Sequence, residues 1–385
     1  MIAPARPLTI MLSCGEASGE LYAAALAREL RALAPGTRVV ALGGPRLAEA
    51  GVELLADYHG MSVTGLSEAL RVIPRSLALI RALGRAADRV NPDVFVPIDF
   101  PDFNFRLMAA MARRRVPIVY YVSPQLWAWR AGRLRTMKRL VSKVLVIFPF
   151  EERLYRDAGV DAEFVGHPLV DLVEPSADRE TLRARFGAGA ATPLVALLPG
   201  SRANELRAIL PDMARAAALV RARLPDAKFV LARAPGLASE LFAPLAGLMP
   251  GIDVPIADSA TDDVLAAADV AITASGTATV QTALHECPMV IVYRVSPVTS
   301  MLGRMFVKLD TFGMVNLVAG ERIVPELIQD RFTPQAVADE VVSLLTDSVR
   351  RDAMISKLRD VKQKLGGKGG ARRAAEAILR STLSA

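Results

Sequence analysis

Short apolar runs rich in β-branched residues alternate along this chain with longer amphipathic segments, the pattern of strand–helix–strand units on a parallel sheet. In the first half the runs fall at 8–12, 39–42, 94–98, 118–122 and 144–148, and in the second half at 195–198, 228–231, 270–273 and 289–292. Two doubly wound, Rossmann-like α/β domains are expected. The crossing between them is placed near Gly166-His167-Pro168, ahead of the polar stretch Glu174-Pro175-Ser176-Ala177-Asp178. Beyond about residue 335 the pattern is helical, and the tract Gly366-Gly367-Lys368-Gly369-Gly370 sets off a last helix over 371–383. The predicted division is a first domain over 1–170, a second over 171–345 and C-terminal helices over 346–385. Within 66–90, at about 100° per residue, Arg71, Arg75, Arg81, Arg85 and Arg89 share one arc opposite Leu66, Ile73, Leu77 and Ile80. Pro74 is expected to interrupt any continuous helix there.

Composition narrows the class. A length of 385 residues exceeds what one core usually supports, which favours two domains. With 52% hydrophobic and 23% charged residues the chain is a folded globular protein rather than a disordered one. No apolar run approaches the ~18–20 residues that span a bilayer. The start, from Arg6 to Cys14, imitates a lipoprotein signal, but its apolar stretch is too short and is read as a first strand. Two cysteines and three histidines cannot build a disulfide framework or a protein-borne metal cluster, so a reducing compartment and no metal site are expected.

The formal charge of +7 asks for an anionic partner: nucleic acid, a phosphorylated small molecule or an acidic membrane face. An aromatic content of 5% gives little for base stacking, which argues against nucleic acid. Between Phe103 and Phe150 ten basic residues occur and no acidic one, a candidate anion-facing surface.

Several strand ends carry candidate chemistry. The first strand runs into Cys14-Gly15-Glu16-Ala17-Ser18-Gly19-Glu20, where small residues let a ligand approach the backbone while Glu16 and Glu20 favour hydroxyl recognition over phosphate. This is not the GxGxxG of nicotinamide dehydrogenases. After 94–98 comes Asp99-Phe100-Pro101-Asp102-Phe103-Asn104, acids at the carboxyl edge of a parallel sheet, where open α/β folds bind ligands. Asp99 is assigned as a general base and Asp102 as a helix cap. In the second half, Pro199-Gly200-Ser201-Arg202 joins a glycine turn to an arginine at a helix start, suited to a diphosphate. Ala274-Ser275-Gly276-Thr277-Ala278-Thr279 opens another helix able to hold the same group. No Asp-x-Asp triplet supplies the usual clamp for a nucleotide-bound divalent ion, so leaving-group stabilisation without metal is expected.

These segments, with Ser123-Pro124-Gln125-Leu126-Trp127-Ala128-Trp129-Arg130 and Phe164-Val165-Gly166-His167-Pro168, resemble lipid-A-disaccharide synthase in the same order, over about residues 8–380. The resemblance implies the GT-B architecture of two Rossmann-like domains facing across a cleft. It implies transfer of 2,3-diacylglucosamine from UDP-2,3-diacylglucosamine to 2,3-diacylglucosamine 1-phosphate (lipid X), giving lipid A disaccharide 1-phosphate and UDP, inverting, with no cofactor. In that frame Asp99 is the base for the acceptor 6-hydroxyl. Arg202, Ser201 and the Ser275-Gly276-Thr277 turn hold the UDP diphosphate, Gln281 and Asn316 lie at the donor nucleotide, and Gly15, Glu16 and Ser18 line the acceptor side. His167 is placed at the interdomain turn, near the uracil or in a structural role. Acylated substrates imply peripheral attachment to an anionic membrane, on the inner face of the cytoplasmic membrane of a Gram-negative bacterium; a homo-oligomer is compatible with this. Two positions depart from the pattern. Gln281 stands where the family commonly places Glu, and Glu20 where Asp is usual. A UDP-N-acetylglucosamine 2-epimerase-like enzyme and a non-catalytic nucleotide-sugar or lipid binder remain the alternatives.

Overall fold

The structure, a computed structural model, describes residues 6–58, 66–124, 132–294 and 313–383, with the backbone alone over 66–72. The runs that are apolar at consecutive positions become strands covered on both faces, as parallel sheets require. They organise two units: residues 1–171 with 365–385, and residues 172–364.

In the first unit, strands β1 (Thr9–Ser13), β2 (Arg38–Gly43), β3 (Glu53–Asp57) and β4 (Val94–Pro97) pair in the order β3-β2-β1-β4. Strands β5 (Val119–Tyr121), β6 (Lys143–Val146) and β7 (Ala162–Phe164) continue the layer, joined to β4 by the parallel bridges Phe95↔Ile118 and Ile98↔Tyr121. The strand pairs are all parallel. Helices α1 (Ala17–Leu33), α2 (Pro45–Glu49), α3 (Leu66–Val90) and α4 (Pro101–Ala112) lie between them. Met11, Phe95, Leu107, Met108 and Tyr120 are fully buried in the core. Helix α3 is continuous through Pro74, contrary to expectation. Pro74 is exposed, so water can replace the one backbone bond that a proline forfeits.

The second unit has the order β10-β9-β8-β11-β12-β13, again parallel throughout. Here β8 is Leu194–Leu198, β9 Lys228–Arg233, β10 Ile256–Asp258, β11 Val270–Ala274, β12 Met289–Tyr293 and β13 Glu326–Ile328. Every residue of β8 and of β11 is buried.

The helical C-terminal segment expected over 346–385 does not stand apart. Helix Ser348–Lys364 packs on helices Met314–Ala319 and Thr277–Leu284 of the second unit, whereas helix Gly370–Leu383 packs on α1, β5 and β6 of the first. The last helix is anchored by Asp171, whose carboxylate accepts from the amides of Gly369 at 2.6 Å and Gly370 at 2.8 Å. A carboxylate at a helix N-terminus satisfies donors that the helix leaves free. Arg373 adds bonds to the carbonyls of Val165, Gly367 and Lys368.

Candidate active site

At the carboxyl edge of the first sheet, the corner after β4 is held in an uncommon conformation. Asp99 and Phe100 have φ of 46° and 49°, and Val122, just past β5, has 56°. Aspartate tolerates the left-handed region; phenylalanine and a β-branched valine rarely enter it, so the surroundings must hold them there. The clamp is visible. Asn104, buried in the first turn of α4, donates from Nδ2 to the Asp99 carbonyl at 2.7 Å and to the Ser13 carbonyl at 3.3 Å. Its Oδ1 accepts from Ser13 Oγ at 2.7 Å. The Tyr120 hydroxyl also donates to the Asp99 carbonyl at 2.7 Å, and the Asp99 amide donates to Val122 O at 3.2 Å. Burial, then the nearby Asp99, pushes the Tyr120 hydroxyl well above its ordinary range and keeps it a neutral donor. The Asp99 side chain itself is half-buried.

The β1–α1 turn meets this corner. A Cβ on Gly15 would lie 2.2 Å from Cδ1 of Phe100, so only glycine allows the approach. Glu16 occupies the N-cap position of α1 in extended conformation without a capping bond from its side chain, and Ser18 follows in the first turn. Both are half-buried.

Two acids differ from their expected roles. Glu20 is 3% exposed and accepts from the amides of Arg46 at 2.9 Å and Leu47 at 3.4 Å and from Tyr58 Oη at 2.9 Å. It therefore caps α2, whose own N-cap Gly44 has no side chain, and is not open to a ligand hydroxyl. Asp102 does not cap α4: the N-cap position is Phe100, and Asp102 pairs instead with Arg133, whose guanidinium stands 4.9 Å from the Phe105 ring centroid. Of the Ser-Pro-x-x-Trp-Ala-Trp-Arg stretch, Gln125 to Arg130 lie outside the described residues.

In the second unit, β8 ends in the turn that opens helix Ala203–Arg223, with Arg202 at its N-cap. Gly200 has φ of 123°, and a Cβ there would fall 2.7 Å from Glu205 Oε2. Glu205 turns back on the helix start, accepting from the Ser201 amide at 3.1 Å and from Arg202 Nη1 at 3.2 Å. The Ser201 amide and the Arg202 guanidinium thus converge on one anionic group, here an internal carboxylate. Tyr293, at the end of β12, is raised by burial and then by Glu205, with Arg202 opposing.

After β11, the Ser275 amide donates to Val292 O at 3.0 Å and Gly276, with φ of 148°, is the N-cap of helix Thr277–Leu284. Gly276 and Thr277 are exposed. One turn on, Gln281 donates from Nε2 to Asp262 Oδ1 at 2.7 Å. The side chain of Asn316, expected at the donor nucleotide, is committed within its own loop. Its Nδ2 donates to Val324 O at 2.9 Å and Glu326 Oε1 at 2.6 Å, and its Oδ1 accepts from the amides of Ile323 at 2.8 Å and Val324 at 3.0 Å. All four bonds an amide can make are used inside the fold, so Asn316 pins its own loop. His167, packed against Tyr22 and Phe148, accepts at Nδ1 from the Leu169 amide at 3.2 Å. Burial pushes its pKa down to about 3, so it is a neutral ring of the first unit. Among the described residues no three His, Cys, Asp or Glu side chains gather as a metal-ligand set.

Sequence reasoning gave no role to Asn104, Tyr120, Glu205 or Asp262. Asn104 carried a signal: on α4 it shares a stripe with Leu107, Met108 and Met111, and a polar residue on a buried face needs partners.

The lipid-A-disaccharide synthetase family signature, LpxB, matches residues 10–380. Lipid-A-disaccharide synthase of Anaeromyxobacter dehalogenans (strain 2CP-C) is 44% identical over 370 residues, covering 96% of either chain. This chain belongs to the lipid-A-disaccharide synthase family. It is accordingly a glycosyltransferase of lipid A synthesis, with the GT-B fold. Solved structures with that fold include UDP-GlcNAc 2-epimerase from Neisseria meningitidis bound to UDP-GlcNAc, with a TM-score of 0.68 at 11% identity, covering 97% of this chain and 100% of that one. MurG of Acinetobacter baumannii gives 0.59 at 13% identity over 97% and 100%. At such identities the likeness is one of fold; the synthase relatives carry the assignment against an epimerase.

Proposed function

We propose that this member of the family transfers 2,3-diacylglucosamine from its UDP derivative to the 6-hydroxyl of lipid X in a single displacement that inverts the anomeric carbon. The Asp99 carboxylate takes the hydroxyl proton as the hydroxyl oxygen bonds to the anomeric carbon; the bond from that carbon to the diphosphate oxygen breaks and UDP leaves. The observation that carries this reading is the corner after β4, where Asn104 and Tyr120 fix the main chain of a half-buried carboxylate at the sheet's carboxyl edge. Gly15, Glu16 and Ser18, on the adjoining turn, are assigned to the acceptor. Ser201, Arg202, Ser275, Gly276 and Thr277 are assigned to the UDP diphosphate, whose departing charge the amides and guanidinium stabilise in place of a divalent ion.

Acylated substrates require a lipid surface, and α3 suits one. Ile73 and Leu77 are 37% and 39% exposed on the face opposite exposed Arg75, Arg81, Arg85 and Arg89, the apolar and basic faces of a helix that lies on an anionic interface. Among the described residues no helix is long and apolar enough to cross a membrane. The side chain of Arg71 lies outside the described residues.

Incubation with UDP-2,3-diacylglucosamine and lipid X should yield UDP and the β-1,6-linked disaccharide 1-phosphate in equal amounts. Turnover of UDP-N-acetylglucosamine with no second sugar would point to an epimerase, and binding of both lipids without UDP release would point to a binder.

A further inference from the structure

Beside the helix start at Gly276, a cluster of Asp262, Gln281 and His285 takes no part in the steps above. Gln281 Nε2 and His285 Nε2 both lie on Oδ1 of Asp262, at 2.7 Å and 2.9 Å. Asp262 sits in the first turn of helix Thr261–Ala267, so the contact joins two helices of the same unit. The His285 side chain is 7% exposed and that of Asp262 23%, which places the cluster at the margin of the core.

The chemistry of the pair fixes an orientation. An ionised carboxylate only accepts, so the Gln281 amide must turn its NH2 group to Asp262; the opposite flip would set oxygen against oxygen. The amide oxygen Oε1 then points away from Asp262, and among the described residues it receives no hydrogen bond. Gln281 is four residues from Thr277 on one helix, hence on the same face as the start assigned to the diphosphate, and is half-buried.

We infer that Asp262 is a positioning residue: by holding the NH2 of Gln281 it presents Oε1 as an acceptor for a sugar hydroxyl of the bound nucleotide. This rests on the assignment of UDP to the Gly276 turn. Freed from Asp262, the side chain regains its rotamers and the amide can offer either end, so only a small fraction of its arrangements present an acceptor where one is needed. A carboxylate at 281 would need no orienting, since both its oxygens accept, but beside Asp262 it would place two like charges in contact.

The arrangement therefore predicts a reversal of sign that an ordinary structural contact does not give. UDP binding by calorimetry, with KM and kcat for the donor, would be measured on the wild-type chain, Asp262→Ala, Asp262→Asn, Gln281→Glu and the double variant Asp262→Ala/Gln281→Glu. Asp262→Ala should weaken UDP binding and raise KM by about 5–10-fold, the worth of one hydrogen bond, with kcat unchanged. Asp262→Asn, which keeps an acceptor oxygen, should stay within about twofold to threefold of the wild type on the same scale. Gln281→Glu should weaken binding in the wild-type background yet restore it in the Asp262→Ala background. That restoration is a gain, which a damaged fold cannot imitate. Wild-type affinity in Asp262→Ala, or losses that simply multiply in the double variant, would overturn the inference while leaving the UDP site in place. Failure of the wild-type chain to bind UDP would overturn the site assignment and the inference with it.

Discussion

Asp99 and Phe100 together hold two left-handed backbone conformations, each costing about 1–3 kcal/mol unless the surroundings enforce it, and Asn104 with Tyr120 supplies the enforcement. The acids at this strand end were legible in the sequence because residue type and position suffice to nominate them. Their supports were not, since a hydrogen bond from Tyr120 to residue 99 is a fact of packing. For the same reason the partners of Glu20 and Asn316 are not legible: the sequence names a polar group, but only the fold reveals that it is bonded by the amides of Arg46 and Leu47 in one case and of Ile323 and Val324 in the other. His167 gives a test at this scale. Its pKa is about 3 in the fold against 6.5 for the ordinary ring, so between those values the unfolded chain binds the extra proton. Stability is then lost as pH falls below about 6.5, by up to about 1.4 kcal/mol per pH unit, until the folded ring also protonates. In His167→Asn, which retains an acceptor for the Leu169 amide, unfolding free energies from urea titrations between pH 6.5 and 4 should fall less steeply by that amount; parallel slopes would show that His167 is not held neutral.

Among the described residues nine strands announce themselves as apolar runs, and the four that do not, β3, β7, β10 and β13, are the edge strands of the two layers. An edge strand is short and partly solvated, as the exposed and half-buried residues of β3 illustrate, so it lacks the continuous apolar signature of an interior strand. The C-terminal helices were legible as helices, but their division between units was not, because it depends on Asp171 meeting the amides of Gly369 and Gly370, and Arg373 the carbonyl of Val165, from far away in sequence. The helix Arg179–Arg185 is fastened by a comparable long-range device. The Arg183 guanidinium, 6% exposed, bonds Asp269 at 3.1 Å and the carbonyls of Ala267, Gly189 and Thr192. Arg183→Met should cost about 3–5 kcal/mol by leaving buried carbonyls and part of the Asp269 charge unmatched. Arg183→Lys should recover only part, since one ammonium cannot reach the same forked set. A change in unfolding free energy below about 1 kcal/mol for Arg183→Met would contradict this role.

At the scale of the whole molecule, alternating runs and length were enough to foresee two parallel-sheet units, and the ordered motifs were enough to foresee the family. Net charge asks for an anionic partner without choosing among candidates; the exposure of Ile73 and Leu77 opposite the α3 arginines is what favours a lipid surface. Reversing Arg75, Arg81 and Arg85 together to glutamate should remove at least about 3 kcal/mol of attraction to anionic vesicles, roughly 100-fold in partitioning, with little effect on neutral ones. Unchanged sedimentation with anionic vesicles would remove α3 from the docking face. The central claim is that Asp99 draws the proton from the acceptor hydroxyl while UDP departs. Its most direct test is the rate of UDP release from UDP-2,3-diacylglucosamine with lipid X by Asp99→Asn, alongside its affinity for UDP. The account predicts a folded protein that binds UDP as the wild type does and turns over at least ~100-fold more slowly; near-normal turnover would contradict it.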